Sequence, residues 1–354
     1  MFIMINKIFK ISIVFFFFSN LILSQDQRKF KIQTIAFYNV ENLFDTINDV
    51  NKNDEASPMM EIKYDRGNIY KKKIVNMSKV ISDIGKDFTN SSPAIVGLSE
   101  VENKQVIVDL LNDNSLADTN YEIIHYESPD KRGIDVAMVY NEDVFKIKNT
   151  LSYELLIYDD EDGDRIYTRD QLVVSGNLDG DEIYMIVNHW PSRSGGEARS
   201  KSKREAAAKL NKKIIDSIHK LDKHAKIITM GDFNDNPMNH SIKGIIGAKK
   251  NKDQVKIKEM YNPMEKILTE EGIGSNSYRD VWFLFDQLII SKGLLGKDYS
   301  DYKFYKAGVF NKSYLTQKDG RYKGQPFRSF SWGKFTNGYS DHYPSFIYLI
   351  KEIK

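Results

Sequence analysis

Five short segments of the chain place carboxylate, amide and imidazole side chains directly after a run of apolar residues. In chain order these segments contain Asn39, Glu100, His189, the pair Asp232 and Asn234, and the pair Asp341 and His342. The ends of strands are where α/β proteins assemble sites, because the rigid sheet holds the side chains while the loops admit a ligand. The set therefore predicts one site that combines carboxylates, amides and two histidines.

Oxygen donors outnumber nitrogen donors in this set, which bears on the metal that it suits. Hard oxygen ligands with few nitrogens favour Mg²⁺, with Mn²⁺ and Ca²⁺ as alternatives, over zinc. Mg²⁺ keeps several waters, so Asn39, Glu100 and Asp341 would fit its needs when substrate phosphate oxygens join them. His189 and His342 then remain for proton transfer or for polarising a phosphoryl oxygen. These residue types indicate metal-assisted hydrolysis of a phosphate ester.

Each segment taken alone has a simpler interpretation. Asn39 could be a turn or capping residue, Glu100 could cap the helix that follows, and Gly231–Asn234 could form an ordinary Asx turn. Ser340–His342 could be a surface loop, and His189 a buried, hydrogen-bonded imidazole. The functional interpretation depends on the joint occurrence of the segments, each after a strand and in this order.

The elements that would position these residues alternate between strand and helix patterns. Strands outnumber helices and occur in hairpin and crossover arrangements, which predicts mixed sheets covered by helices. Residues 243–274 are lysine-rich with weak periodicity, which favours a helical insertion or a mobile loop. The predicted helices are Ile69–Ile84, Asn103–Leu111 and Glu197–Ile218. The predicted strands are Lys31–Tyr38, Ala94–Leu98, Tyr121–Tyr126, Ile134–Tyr140, Gln171–Leu178, Glu182–Asn188, Ala225–Met230, Phe285–Ile290 and Pro344–Ile350.

The motifs, taken in order, resemble those of the endonuclease/exonuclease/phosphatase superfamily, which includes deoxyribonuclease I-like and exonuclease III-like nucleases and bacterial sphingomyelinases. The resemblance extends over nearly all of residues 26–354, which we interpret as a single domain. It implies an α/β fold, a four-layer sandwich of two mixed β-sheets flanked by helices. The matching segments are Phe37-Tyr38-Asn39-Val40, Leu98-Ser99-Glu100, Asn188-His189, Gly231-Asp232-Phe233-Asn234, Phe285-Asp286-Gln287-Leu288 and Ser340-Asp341-His342.

The resemblance also implies roles for the metal-binding and water-orienting residues. Asn39 and Glu100 would hold the divalent metal, with Asp341 close by. Asp232 and Asn234 would orient the attacking water and contact the phosphate.

The two histidines are expected to act on the same phosphate. The resemblance implies that His342, oriented by Asp286, transfers a proton or binds a phosphoryl oxygen, while His189 does the complementary work. Whether Asp232 or His342 accepts the proton of the water stays open. Asp135 is expected either to orient His189 or to be a surface carboxylate at the start of a strand.

Two basic segments bear on the identity of the substrate. Ser192–Arg204 follows His189 directly and includes Arg193, while Tyr302–Lys334 interleaves cations with aromatic residues. Such segments could follow a nucleic-acid backbone and stack on bases, or they could be a solvated helix face and a loop with buried aromatic anchors. We expect Arg193 to contact substrate. Arg169 either touches a substrate phosphate or pairs with a neighbouring acid.

The N-terminus predicts export. Residues 1–10 carry two lysines and no acid, and residues 11–23 are almost purely apolar. A basic start and a short apolar stretch are typical of a secretory signal peptide, which we place at residues 1–25, and predict a periplasmic or secreted protein. An uncleaved membrane anchor is the alternative. The chain has no cysteine, which excludes disulfides, thiolate catalysis and lipid attachment to a cysteine.

Composition narrows the function classes further. Of the 354 residues, 41% are hydrophobic and 28% charged, which excludes a disordered chain and a multi-spanning membrane protein. The sequence predicts a metal-dependent phosphodiesterase, first of all a monomeric endonuclease that hydrolyses DNA without stable membrane association. A phosphatase or a phospholipase of the sphingomyelinase type is the second hypothesis. A binding module that has lost catalysis is the third, and the complete residue set argues against it.

Overall fold

The computed structural model describes residues 28–159 and 162–353. The signal peptide predicted over residues 1–25 lies outside the described residues. Within the described part, none of the helices has the length and apolar character needed to cross a membrane.

Strands dominate the described residues, and helices fall between them. The helices are α1 (Pro58–Glu61), α2 (Arg66–Asp83), α3 (Lys86–Thr89), α4 (Lys104–Leu111), α5 (Glu197–Leu221) and α6 (Met264–Glu270), with a π-helix at Ser241–Ile246. Short 3₁₀ turns occur at Asp54–Ala56, Lys252–Gln254, Lys292–Leu294 and Ser313–Leu315. The strands are β1 (Phe30–Leu43), β2 (Ile95–Val101), β3 (Tyr121–His125), β4 (Asp135–Asn141), β5 (Phe145–Tyr153), β6 (Ile157–Tyr158), β7 (Arg165–Ile166), β8 (Gln171–Leu178), β9 (Asp181–His189), β10 (Ile227–Asp232), β11 (Met260–Tyr261), β12 (Asn276–Tyr278), β13 (Val281–Phe283), β14 (Asp286–Ser291), β15 (Lys303–Val309), β16 (Phe330–Ser331), β17 (Lys334–Phe335) and β18 (Ser345–Glu352).

Two six-stranded mixed sheets form the centre of the protein. The first has the strand order β15-β18-β1-β2-β4-β3, and the second has the order β11-β14-β10-β9-β8-β5. Each sheet contains one parallel pair, β1 with β2 and β9 with β10, among antiparallel neighbours. The parallel pairs matter for function, because their strands end at the same edge of each sheet.

Alternating side chains of the strands fill three apolar layers. In β1, Ile35 and Phe37 pack into the core between the two sheets, whereas Ala36 and Tyr38 face the layer under α2 and α4. Successive strand residues point to opposite faces, so a strand that is apolar on both faces must be covered on both. The helix α5 covers the outer face of the second sheet through residues such as Ile215. The predicted four-layer sandwich of two mixed sheets flanked by helices is confirmed.

The strands that the sequence did not predict lie at sheet edges. Most residues of β5 are exposed, and β15 pairs only with β18 in the first sheet. Edge strands bury little apolar surface, so their sequences lack the continuous apolar runs of the central strands. The uncertain residues 243–274 form β11 and α6, and Met264 and Ile267 of α6 are buried in the core between the sheets.

One carboxylate joins the two sheets at the edge opposite to the ends of the parallel strands. Asp179, in the turn between β8 and β9, forms an ion pair with Lys31 and accepts hydrogen bonds from Gln33 Nε2 at 2.8 Å and Tyr302 Oη at 2.6 Å. Burial opposes its charge, but the hydrogen bonds from Lys31, Tyr302 and Gln33 outweigh burial and hold the pKa of Asp179 below its usual value.

Replacing Asp179 by asparagine is therefore expected to lower the free energy of unfolding at pH 7 by roughly 1.5–3 kcal/mol, the range for hydrogen bonds to a charged group. Because the folded pKa is depressed, this stabilisation is present above the unfolded pKa of about 3.9 and is lost as pH falls through the folded value. Urea unfolding should show the difference between wild type and Asp179→Asn shrinking on acidification. A difference independent of pH would contradict this, and the exposed Asp118→Asn is the control.

Candidate active site

The carboxyl ends of the two parallel strand pairs meet at one edge of the sandwich, and Asn39 connects them. Asn39 Nδ2, on β1, donates to Glu100 Oε1 of β2 at 3.0 Å and to Asp232 Oδ2 of β10 at 3.1 Å. Asn39 and Asp232 are buried, and Glu100 adopts a positive φ of 64°. Strained backbone of this kind persists where surrounding structure enforces it, and it occurs often at functional sites.

Both predicted histidines lie beside the Asp232 carboxylate. His189 Nε2 lies 3.8 Å from Asp232 Oδ2 and 3.9 Å from Glu100 Oε1, and His342 Nε2 lies 4.0 Å from the same Asp232 oxygen. These distances are too long for direct hydrogen bonds and leave room for a bridging water or phosphoryl oxygen. On the far side of its ring, His342 Nδ1 forms a 2.6 Å hydrogen bond with Asp286 Oδ2.

The two histidines carry different charges. Burial opposes protonation of His342, but the charges of Asp286 and Asp232 outweigh burial and raise the pKa of this imidazole well above its usual value. Burial lowers the pKa of His189 well below its usual value, and the charges of Arg169 and Arg132 lower it further. At neutral pH the site therefore holds one imidazolium and one neutral imidazole.

The Asp232 carboxyl group is close to its titration point at neutral pH. Burial, together with the charges of Asp286 and Glu100, raises its pKa to about 7 against the opposing charge of His342. The backbone N–H of Asn234 donates to Asp232 Oδ1 at 2.9 Å, which leaves Oδ2 turned towards the two histidines. A carboxyl group with a pKa close to the operating pH suits general base catalysis.

The donor set fits a divalent cation. Glu100, His189 and Asp232 each offer a ligand atom within 4.8 Å of the others, and the carboxylates of Glu100 and Asp232 converge on the Asn39 amide. Among residues 28–159 and 162–353, no hydrogen-bond partner reaches the buried atoms Asp286 Oδ1 and His189 Nδ1. Converging carboxylates repel each other, and a hard cation held by Glu100 with phosphate oxygens would relieve that repulsion. The predicted metal residue Asn39 does not present its oxygen here, because Oδ1 accepts the backbone N–H of Glu41 at 2.9 Å while Nδ2 faces the carboxylates.

The predicted metal residue Asp341 lies outside this group of ligand atoms. Asp341 Oδ2 accepts a hydrogen bond from Arg328 Nη2 at 2.7 Å. Burial alone would raise the pKa of Asp341, but the charges of His342 and Arg328 hold it below its usual value. Asp341 thus presents an ionised carboxylate beside the site, already paired with an arginine.

The structure supports neither expectation for Asp135, which is fully buried and contacts a histidine other than His189. Asp135 Oδ2 instead lies 3.0 Å from His125 Nε2, and its Oδ1 accepts from the backbone N–H of Ser128 at 2.8 Å. The register explains this, because His125 of β3 lies opposite Ala137 of β4, two residues from Asp135 on the same face.

The two arginines expected to bind substrate are held by internal acids. Arg169 is buried, pairs with Asp130 at 3.2 Å and donates to the carbonyl oxygen of Trp190, so the ion-pair alternative describes its contacts. Arg193 forms ion pairs with Glu197 and Asp235 and stacks on aromatic rings. The expected direct contact of Arg193 with substrate is not supported by these internal contacts.

The sequence did not single out Glu41 or Tyr278. Glu41 and Lys73 are buried near Asp341 with half-buried Arg328 beside Glu41, and exposed aromatic residues flank the site at Tyr278 and Trp332. Lys73 did give a signal, since it occupies an apolar position of the predicted helix Ile69–Ile84. A lysine there must find partners inside the protein.

Comparisons with known proteins agree with this geometry. A family model described as "Endonuclease/Exonuclease/phosphatase family" matches residues 34–351, whereas a search of curated proteins gave no match. A D. rerio TDP2 humanised by 14 mutations superposes with a TM-score of 0.52 at 12% identity, covering 90% of this chain and 98% of that one. A family protein from Bacteroides thetaiotaomicron gives 0.51 at 17% identity, covering 92% and 97%. A mannosyl-6-phosphatase from the same organism gives 0.50 at 17% identity, covering 90% and 99%.

These structures share the fold of this chain, and the family match covers nearly all of the described residues. The match includes every segment that forms the site, from Asn39 to His342. The chain belongs to the endonuclease/exonuclease/phosphatase family, whose members are phosphoester hydrolases.

Proposed function

We propose that the protein is a divalent-cation-dependent phosphodiesterase that hydrolyses nucleic acid, with DNA as the favoured substrate. The observation that carries this proposal is a pair of clefts that open on the two sides of the catalytic residues. One cleft is lined by aromatic rings and arginines, and the other by lysines and arginines.

The first cleft, here called the aromatic cleft, has a volume of about 560 Å³ and adjoins Asp341. Trp332 and Tyr278 are 84% and 63% exposed, so their rings are open to a ligand. Planar rings stack on bases, and guanidinium groups pair with phosphates. The residues that provide these contacts are Tyr278, Arg279, Arg321, Tyr322, Arg328 and Trp332.

The second cleft, here called the basic cleft, has a volume of about 370 Å³ and lies beside the segment that follows His189. Its cations come from two loops and from the start of α5, and cations in this arrangement suit a phosphate backbone. The basic residues that line it are Lys131, Arg132, Arg199 and Lys203, and Arg169 also borders it but is paired with Asp130.

The sheet order places the clefts on opposite sides of the catalytic residues. The aromatic cleft lies on the side of β18 and β14, since Asp341 precedes β18 and Asn276 bridges to His342. The basic cleft lies on the side of β4 and β8, whose preceding loops line it. A ligand that occupies both clefts passes over Asp232. A phosphodiester has a substituent on each side of the scissile phosphate, whereas a monoester has one.

The basic segments of the sequence contribute to both clefts only in part. Arg199 and Lys203 line the basic cleft, and Arg321 and Arg328 line the aromatic cleft. Other cations of the same segments are paired elsewhere: Arg204 with Asp235, Lys303 with Asp301, and Lys312 with Asp87. Position in the fold, not segment composition, decides which cations face the substrate.

The protonation states suggest how these side chains share the reaction. Asp232, with a pKa of about 7, accepts the proton of the attacking water, because His342 is already protonated. The His342 imidazolium stabilises the negative charge that develops on the phosphate, and neutral His189 contacts it from the other side. A divalent cation, when bound, would neutralise charge on the phosphoryl oxygens.

One assay panel tests the proposal. Residues 26–354 are incubated with supercoiled plasmid, RNA, sphingomyelin and mannose 6-phosphate, each with Mg²⁺, Mn²⁺, Ca²⁺ or EDTA. We expect plasmid nicking that EDTA abolishes. Brisk release from the sugar phosphate or the lipid without nicking would replace the nuclease with a phosphatase or phospholipase. Nicking that survives EDTA would refute the metal requirement.

Trp332 provides a sharper prediction. It occupies the turn between β16 and β17 with a φ of 53°, followed by Gly333 at 67°. Turns of this kind favour Asn-Gly, and a bulky residue with positive φ is rare. Trp332→Asn should therefore retain stability but raise KM for DNA by roughly 5- to 150-fold, the equivalent of one lost base stack. Exposed Tyr64→Asn is the control, and an unchanged KM in Trp332→Asn would contradict a stacking role.

We further propose that the protein acts as a monomer in the periplasm or outside the cell. The basic and apolar pattern of residues 1–25 supports export. Cell fractionation with mass spectrometry of the mature N-terminus tests the location, and size-exclusion chromatography with light scattering tests the oligomeric state. Recovery in the cytoplasm with an intact N-terminus would refute export.

A further inference from the structure

The loop that follows β1 is rich in acids and amides and borders a small cavity near the end of β2. The cavity has a volume of about 110 Å³. Its lining contains four carboxylates and one lysine, together with Asn103 and Gly133: Asp49, Lys52, Asp54, Glu102 and Glu127. We call it the acidic cavity. None of its carboxylates belongs to the catalytic set.

Asp54 is the residue that singles out this cavity. It is 1% exposed, and its Oδ2 accepts a hydrogen bond from the backbone N–H of Asp49 at 2.9 Å. Its other oxygen, Oδ1, is buried without any hydrogen-bond partner in the described part of the chain. Burying a carboxylate oxygen without a donor is costly, and a cation would supply the missing interaction.

The lysine in the cavity does not fill this role. Lys52 Nζ donates to the backbone carbonyl oxygens of Ser128 and Asp130, at 3.0 and 3.4 Å. Its hydrogen bonds are thus directed to neutral carbonyl groups. Glu102, the other buried acid, uses one oxygen to accept the backbone N–H of Asp45 at 2.7 Å. Carboxylate oxygen therefore remains in excess of the cationic groups around the cavity.

We propose that the acidic cavity is a second divalent-cation site, separate from the catalytic one and suited to Ca²⁺. Ca²⁺ accepts six to eight oxygen ligands in irregular geometry, which a loop with carboxylates and backbone carbonyls provides, whereas Mg²⁺ requires a stricter octahedron. A cavity of this volume also has space for waters that complete the shell. The site tethers the loop after β1 to the end of β2, because Asp54 comes from the loop and Glu102 directly follows the strand.

The expected effect of this cation is structural. The backbone N–H of Glu102 donates to the carbonyl oxygen of Leu43, and Glu102 lies two residues after Glu100. Because the acidic cavity exists only in the folded chain, Ca²⁺ that binds there shifts the unfolding equilibrium towards the folded state. This proposal does not depend on the substrate, so it holds whether the enzyme hydrolyses DNA or another ester.

The test is Ca²⁺ binding by full-length mature chains in which the catalytic site is disabled. In the Glu100→Gln chain, calorimetric titration with CaCl₂ should give one binding site, and saturating Ca²⁺ should raise the unfolding temperature by about 5 °C. Adding Asp54→Asn should abolish both the binding heat and the temperature rise. Adding Asp118→Asn, an exposed acid outside the cavity, should change neither.

Each outcome decides the question. If Glu100→Gln binds no Ca²⁺, or if Asp54→Asn leaves binding intact, the second site does not exist. If Asp54→Asn fails to fold, Glu102→Gln takes its place, and unchanged Ca²⁺ binding in that chain overturns the proposal. The result is separable from the proposed function, because DNA nicking by the wild-type chain can succeed or fail independently of Ca²⁺ binding at Asp54.

Discussion

Replacing His342 by alanine is expected to lower kcat/KM for plasmid nicking by at least about 100-fold, the usual effect of losing a group that acts in proton transfer or charge stabilisation. His342 Nδ1 is held by Asp286 at 2.6 Å, so its Nε2 is directed towards the Asp232 carboxylate, 4.0 Å from Oδ2. The measurement is steady-state nicking of supercoiled DNA. His224→Ala replaces an exposed histidine that precedes β10, at the end of the strand opposite to Asp232, and should keep wild-type activity.

Because His342 is expected to act as a cation, the activity should depend on pH through the pKa of this histidine. Asp286 is the main group that raises the pKa of His342 against burial. Asp286→Asn keeps the ring but removes that charge, so the pKa of His342 falls. Activity of Asp286→Asn should then decline as pH rises through this lower pKa, at a pH where the wild type still holds its imidazolium. Parallel pH profiles for the two proteins would show that His342 does not act as a cation.

The sequence could group the candidate site residues because most of them lie at the end of a recognisable strand. Asn39, Glu100 and Asp232 come late in β1, β2 and β10, and parallel strand pairs bring such ends together, whereas His342 lies in the loop before β18. The sequence did not contain the pairwise geometry. His125 contacts Asp135 because of the register between β3 and β4. That register depends on how the two strands align, and the pattern of a single strand does not specify it.

The sequence also overestimated the number of cations available to substrate. Arg193 and Arg204 both form ion pairs with Asp235, the residue directly after Asn234. An acid next to the site motif thus neutralises two cations of the basic segment Ser192–Arg204. Composition counts both charges but not their pairing. Conversely, Trp332 belongs to a segment with many aromatic residues, and only the fold distinguishes this exposed ring from buried ones such as Phe330.

Lys73 and Glu41 are buried charged residues near Asp341, and composition alone does not reveal that they are buried. Lys73 is fully buried, and its Nζ donates to the carbonyl oxygen of Val40 at 2.9 Å and to Ser329 Oγ at 2.7 Å. Glu41, whose charge acts on Lys73, accepts the backbone N–H of Ser329 at 2.6 Å and lies 3.8 Å from Arg328 Nε. Burial lowers the pKa of Lys73 to about 8, against the opposing charge of Glu41. These contacts tie α2 and β1 to the loop that presents Arg328.

Lys73→Met is therefore expected to lower the free energy of unfolding by roughly 1.5–3 kcal/mol, the range for hydrogen bonds to a charged group, because it removes the ammonium donor from the carbonyl oxygen of Val40 and from Ser329 Oγ. Methionine matches the length of the lysine chain, so the loss reports on charge and hydrogen bonds more than on packing. Urea unfolding at pH 7 measures the change, with exposed Lys72→Met on the same helix as the matched control.

A double-mutant cycle isolates the interaction between the two charges. Glu41→Gln alone removes the charge of Glu41 and leaves Lys73 with its hydrogen bonds to Val40 and Ser329, while the double variant Lys73→Met with Glu41→Gln removes both charges and should lose less stability than the sum of the two single variants. Additive losses would show that Lys73 acts on Val40 and Ser329 alone. Because the contacts of Lys73 hold the loop that carries Arg328 and leads to Asp341, we expect folded Lys73→Met to nick DNA more slowly than Lys72→Met.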